Sequence, residues 1–224
     1  MSERIHVGVA WPYANGRLHL GHIAGAYLPA DIFARFNRSI GNEVLMVSGS
    51  DQHGAPITIR AEKENTTPEA IAQKYHALFV DCWQKLGISW DLYTTTGTAN
   101  HAEVTQDIFL RLLEKGYLYK EAVLQAYCPS CRRFLPDRYV LGVCPNCSSA
   151  NARGDECESC GKPLDPVELS EPRCVLCAGQ PRFEMSEHFF LKLTALQDQL
   201  AAWVGGMSHW RPNVIGATRR FPDE

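Results

Sequence analysis

The sequence predicts an α/β chain, a parallel sheet with crossover helices, interrupted by a cysteine-rich segment that metal holds together. Three observations predict it. Residues 5–10 and 43–48 are short apolar runs without helical period, with a helical stretch between them. Strand, helix and strand thus fit within about 45 residues, and the two strands should run parallel. Longer helical stripes follow at 67–87 and 100–115. Between 128 and 177 both periodicities vanish, and eight cysteines stand in four Cys-x-x-Cys pairs.

The first strand, Ile5–Ala10, runs into Trp11-Pro12-Tyr13-Ala14-Asn15-Gly16, a segment rich in turn residues. The first helix spans about 18–38 with Ile23, Tyr27, Ala30 and Ala34 on one face, and Pro29 should kink or split it. Gly49 closes the second strand. Thr67-Pro68-Glu69 reads as a cap, a proline in the first turn and an early acid. Ile71, Tyr75, Leu78, Phe79, Cys82, Trp83 and Leu86 then share a face that ends at Gly87. Cys82, the ninth cysteine, sits on that stripe as a packed core thiol. Residues 88–94 read as a strand, and 100–115 as a helix with Val104, Ile108 and Leu112 facing inward before Gly116. Residues 186–193 return to a strand pattern and 194–204 to a helical one.

Composition sets bounds. With 224 residues, 45% hydrophobic and 21% charged, the chain can bury a core in one or two domains. No apolar run approaches the roughly 20 residues of a membrane helix, so no membrane partner is expected. Met1–His6 lacks the basic and apolar regions of a secretory signal, which makes a cytoplasmic protein the default. A net charge of −3 argues against indiscriminate nucleic-acid binding.

Two polar loops converge on the carboxyl edge of the predicted sheet, where open α/β sheets bind ligands. They are Pro12–His22 and Ser50-Asp51-Gln52-His53-Gly54. Neither a Gly-x-Gly-x-x-Gly fingerprint nor a Gly-x-x-x-x-Gly-Lys-Ser/Thr loop is present. His19 and His22, three apart at a helix start, can face one ligand, and the helix end adds free N–H donors for a phosphate. Gly21 would let a nucleoside lie against the backbone. Two such histidines alone admit surface, core or metal-binding roles as well.

In a Cys-x-x-Cys pair both thiolates reach one metal from a tight turn, and Pro129, Pro145 and Gly161 supply turn geometry. Four pairs make two four-thiolate sites, for which zinc is the favoured ion and an iron–sulfur cluster the minor alternative. Spacing leaves three ways to combine the pairs. A full thiolate set leaves no open position for chemistry, so the metals would be structural.

Taken together, His19-Leu20-Gly21-His22 after Pro12-x-x-Asn15-Gly16 resembles the HIGH signature of class I aminoacyl-tRNA synthetases. Ala10–Gly16, Gly49–Ile57, Phe134–Arg138, Ser186–Phe190 and Trp210–Asn213 are similar, in family order, to the methionyl-tRNA synthetases. The resemblance implies the first half of a Rossmann-like class I catalytic domain at 1–116. Residues 117–224 would hold a connective-peptide insertion, with zinc knuckles at about 128–177, and the start of the return to the catalytic domain.

It further implies methionine activation with ATP and Mg2+, then transfer to the acceptor end of tRNA. Ala10, Trp11, Tyr13 and Asp51 would face L-methionine, Asp51 holding its α-ammonium. A turn cap is the alternative role for Asp51. Pro12, Asn15, His19, Gly21 and His22 would face ATP, with His19 and His22 the catalytic pair, while His53 suits a loop brace as well as a ligand contact. One Zn2+ would take Cys144, Cys147, Cys157 and Cys160, and the other Cys128, Cys131, Cys174 and Cys177. Arg132, Arg133 and Arg138 form a modest basic group for the acceptor end, or a solvated surface.

The family's Lys-Met-Ser-Lys-Ser-like loop and anticodon-binding domain have no counterpart here, and Pro222 falls where a helix would continue. The expectation is an amino-terminal fragment with little pyrophosphate exchange alone, which a separate carboxy-terminal chain would complete. Two competing readings are a non-catalytic zinc-knuckle module that binds RNA or protein, and a small nucleotidyltransferase, which would not need the cysteines.

Overall fold

The computed structural model describes residues 2–218, and the expectation concerning Pro222 lies outside them. Contacts gather the chain into two compact units. The first holds the described residues up to 103 together with 126–183. The second holds 104–125 and the described residues from 184 onward.

The first unit opens with β1 (Arg4–Gly8), β2 (Glu43–Ser50) and β3 (Leu92–Thr95), in the order β1-β2-β3. Both pairings are parallel, as the strand–helix–strand spacing requires, with Val7 opposite Met46 and Ser50 opposite Thr95. Between β1 and β2 the chain is helical from α1 (Leu20–His22) through a π turn (Ile23–Tyr27) to α2 (Leu28–Ser39). Pro29 therefore neither splits nor ends the helix. It cannot donate a backbone hydrogen bond, and the ladder before it loosens so that the Leu28 N–H reaches Ile23 O.

Helix α3 (Ala55–Glu64) is absent from the sequence reading, although it carries Pro56 in its first turn and ends on a left-handed Asn65. Helix α4 (Pro68–Leu86) begins on a Thr67 side-chain cap and stops at left-handed Gly87. Its stripe of Ile71, Tyr75, Phe79 and Trp83 is buried with Met46, Tyr27 and Ile57, whereas Leu86 is exposed. Cys82 lies half-buried against this core, and burial raises its thiol pKa, the behaviour of an inert packing group.

A second core in the same unit is small and made largely of cysteine. Cys128, Cys144, Cys157 and Cys174 are buried with Leu135, Tyr139 and Val140, and Ala55 and Ile59 of α3 pack against them. Short strands frame it: β6 (Val140–Val143), β7 (Ala152–Arg153) and β8 (Ser170–Cys174) form a β7-β6-β8 sheet, and β5 (Arg133–Phe134) lies outside that sheet.

α5 (Ala99–Glu114), β4 (Leu118–Cys128) and β9 (Arg182–Leu191) each pass from one unit into the other. In the second unit Lys120 of β4 pairs with Glu187 of β9 at 2.6 Å, and Phe109 of α5 meets Phe189 edge-on. Two helices follow, α6 (Gln197–Gly205) and α7 (Pro212–Thr218), and Trp203 touches Trp210 at 5.2 Å. The inward stripe expected on α5 is corrected: Val104 and Ile108 are about half exposed and Leu112 is partly exposed. A helical period marks a face fit for burial without supplying what covers it. No described helix is long and apolar enough to cross a membrane.

Candidate functional site

The carboxyl edge of the parallel sheet gathers the predicted polar loops. Asp51 N donates to Pro12 O and Ala14 N donates to Asp51 O, both at 2.9 Å, so Tyr13 and Asp51 lie side by side as a bridge. Trp11 lies over the end of β2. A Cβ on Gly49 would stand 2.5 Å from its ring and 2.6 Å from Thr94 O, so only glycine leaves the indole room. Ala10 is anchored from beneath, its carbonyl accepting from the buried Ser48 hydroxyl at 3.4 Å.

His19 is the cap of the helix. Its Nδ1 accepts from Gly21 N at 3.1 Å and His22 N at 3.4 Å, while His22 Nδ1 accepts from His19 N at 3.3 Å. The two rings stack with centroids 3.8 Å apart, both exposed at the helix mouth. Burial first, then the neighbouring His19, lowers the His22 pKa, which favours a neutral ring. Gly21 also makes room for the His19 ring. A Cβ there would meet the His19 ring at 2.9 Å, so glycine keeps the ring on its cap.

Asp51 Oδ1 accepts from His53 N at 3.1 Å, the turn cap weighed for it, and the side chain stays partly exposed at the sheet edge. The His53 ring bonds Thr96 O at 3.2 Å, which braces the loop against the segment after β3. Sequence reasoning missed what lies behind Asp51. The buried Ser50 Oγ stands 2.7 Å from Nδ1 of His76 on α4 and 3.4 Å from the Tyr93 hydroxyl. Alternation along β2 could have found Ser48 and Ser50, two polar residues on a buried face.

A hollow of about 410 Å³ begins at Tyr13 and Asn15 and is lined by Arg60, Lys63, Arg138 and Arg153. Arg138 pairs with Asp155 at 2.5 Å, and Arg133 with Glu62 at 2.6 Å. The basic group is thus partly neutralised.

The eight paired cysteines form two groups, Cys128/131/174/177 and Cys144/147/157/160, each with its sulfurs within 4.8 Å of one another. Sulfur separations of 3.5 Å (Cys128–Cys177), 3.9 Å (Cys131–Cys174), 3.6 Å (Cys147–Cys157) and 4.0 Å (Cys144–Cys160) are far too long for disulfides. Thiolates about 2.3 Å from a metal stand about 3.8 Å apart around a tetrahedron, so each group could hold one ion. The grouping is the nested one. After each pair the chain turns left-handed, at Arg132, Ser148, Gly161 and Ala178. Ser148, Gly161 and Ala178 each return their N–H to the carbonyl of the pair's first cysteine. The Gly179 N–H donates to Cys177 Sγ at 3.4 Å, a contact that suits a thiolate.

A parallel sheet, a histidine-capped crossover helix at its carboxyl edge and a cysteine-rich insertion define a class I synthetase catalytic fold. The family described as tRNA synthetases class I (M) matches residues 5–224, and the chain belongs to it. Methionine–tRNA ligases from Dehalococcoides mccartyi and Thermomicrobium roseum are 60% and 57% identical, over 100% and 99% of this chain and 40% and 38% of theirs. The chain thus spans about 40% of the length of these relatives. A Mycobacterium tuberculosis methionyl-tRNA synthetase in complex with methionyl-adenylate shares the fold, with TM-score 0.64 and 22% identity, covering 91% of this chain and 35% of that one. A leucine enzyme, the Agrobacterium radiobacter K84 agnB2 LeuRS in a ternary complex, aligns with TM-score 0.68 and 20% identity over 98% of this chain and 24% of that one.

Proposed function

We propose that this chain provides the ATP- and methionine-facing half of a methionine–tRNA ligase. The stacked, exposed His19–His22 pair at the helix mouth is the observation that carries this reading.

Ala10, Trp11 and Tyr13 line the methionine side, and Asp51 receives the α-ammonium on its partly exposed carboxylate. Pro12, Asn15, His19, Gly21 and His22 face ATP, which arrives with Mg2+. A methionine carboxylate oxygen bonds to the α-phosphorus as the bond to the pyrophosphate oxygen breaks, giving methionyl-adenylate and pyrophosphate. Charge grows on the phosphate oxygens in that step, and imidazole and helix-end donors stabilise it without a protein nucleophile. A terminal hydroxyl of tRNA then takes the methionyl group and AMP leaves. In the hollow beside Tyr13 and Asn15, where Arg60, Arg138 and Arg153 pair with Glu64, Asp155 and Glu158, Lys63 offers a cation to the phosphates of that acceptor end.

Zinc fits both cysteine groups, with four thiolates each at tetrahedral spacing. Cys144, Cys147, Cys157 and Cys160 would hold one ion and Cys128, Cys131, Cys174 and Cys177 the other. Bound zinc supplies cross-links in place of an apolar core.

Titration calorimetry with a non-hydrolysable methionyl-adenylate analogue tests the reading. The chain should bind it, and both Asp51→Ala and His19→Ala/His22→Ala should weaken binding about tenfold or more. Equal affinity in all three proteins would overturn it.

A further inference from the structure

Ser50 is the last residue of β2, and its side chain is fully buried although it carries a hydroxyl. A strand end that needed only packing would place an apolar residue there, because a buried hydroxyl costs free energy unless it is bonded. Ser50 is bonded from several sides. Its Oγ lies 2.7 Å from His76 Nδ1 and 3.4 Å from the Tyr93 hydroxyl, and its carbonyl accepts from Thr96 N at 3.1 Å. The His76 ring also stacks on Tyr93, centroids 5.8 Å apart and 17° from parallel. Helix α4, strand β2 and strand β3 are thereby tied at one point.

That point is the step before Asp51. Beyond Ser50 the chain leaves the ladder, and Asp51 is held by its backbone bonds to Pro12 and Ala14 and by its own turn cap. The direction in which the carboxylate sets off depends on where Ser50 is fixed. Helix α4 is a rigid reference for this, since Ile71, Ala72, Tyr75, Phe79 and Trp83 lock it into the core. His76 gives that reference a polar link to the strand end.

We propose that His76 is a positioning residue for the amino-acid site: through Ser50 it fixes the place where Asp51 leaves the sheet. The inference rests on the reading of Asp51 as the ammonium partner and deepens it. His76 touches no substrate atom. Its effect is selectivity for a ligand that carries an α-ammonium over one that lacks it.

The test compares two ligands on the 224-residue chain, the methionyl-adenylate analogue and its counterpart without the α-amino group. Their affinity ratio measures how well Asp51 meets the ammonium. His76→Ala should lower the ratio about fivefold while binding of the deamino compound stays within about twofold, the scale of one lost hydrogen bond. His76→Asn, whose amide can reach the position of Nδ1, should restore most of the ratio. Ser50→Ala, which barely changes shape, should reproduce the loss, and it carries the test should His76→Ala fail to fold. An unchanged ratio in Ser50→Ala and His76→Ala, with a large drop in Asp51→Ala, overturns the role of His76 and leaves the function intact. An unchanged ratio in Asp51→Ala overturns both.

Discussion

The Gly21 N–H donates to His19 Nδ1 at 3.1 Å, which fixes the His19 ring at the helix mouth. Gly21 keeps the ring there by having no Cβ. Gly21→Ala should push the ring off its cap. Alanine is the better helix former by about 1 kcal/mol, so thermal stability should hold while affinity for the adenylate analogue falls. Parallel melting and calorimetry check the split.

Gly49→Ala should behave in the opposite way. The added methyl would meet Thr94 O at 2.6 Å as well as the Trp11 ring, and backbone gives way less readily than a side chain. Overpacking of this kind costs about 1–3 kcal/mol, so chemical denaturation should show a lower midpoint. Binding should weaken together with stability.

Each cysteine group should carry its own ion. Native mass spectrometry should find two zinc ions in the chain and one in Cys157→Ser. The remaining ion should resist Cys157→Ser and be lost with Cys128→Ser. Loss of both ions in either variant would contradict two separate four-thiolate sites.

The left-handed residues after the cysteine pairs predict a pair of opposite effects. Gly161 at φ 70° occupies a conformation that costs other residues about 1 kcal/mol or more, so Gly161→Ala should loosen its knuckle. Ala178 at φ 57° already bears that cost, and Ala178→Gly should relieve part of it. Competition with a zinc chelator should rank the variants in that order.

Burial lowers the pKa of His76 below its usual 6.5, and Ser50 and Tyr93 are the groups facing its ring. A depressed histidine pKa means that the unfolded chain binds the extra proton first. The contribution of neutral His76 to stability is therefore complete above pH 6.5 and is lost as pH falls through the folded pKa. Urea midpoints measured from pH 7.5 to 5 should decline less in His76→Asn than in the parent.

Much of this was legible in the residues. Short apolar runs announced β1 and β2, and a helical period announced α4, because each packs against the same core. Helix α3 escaped because Gly54-Ala55-Pro56 reads as a turn and only Ile57 and Ala61 of its stripe are fully buried. The histidine pair and the two polar loops were visible because local spacing places them at the sheet edge. The link between Ser50 and His76 was not, since residues 26 apart meet only once the helix has docked. Spacing equally left the pairing of the cysteines open, and the resemblance to known synthetases carried it.

The π turn at Ile23–Tyr27 places one surplus backbone residue between the imidazoles and the apolar stripe of the same helix. Removing a residue there would let the segment close into regular α-helix. Tyr27, Ala30 and Ala34 could then keep their seats in the core while His19 and His22 keep nearly their present direction, because the wider winding of the π turn already absorbs the angle of the surplus residue. The histidine face and the packing face are thus phased by the π turn, and with that turn kept, losing one residue elsewhere between them would rotate the one against the other by about 100°.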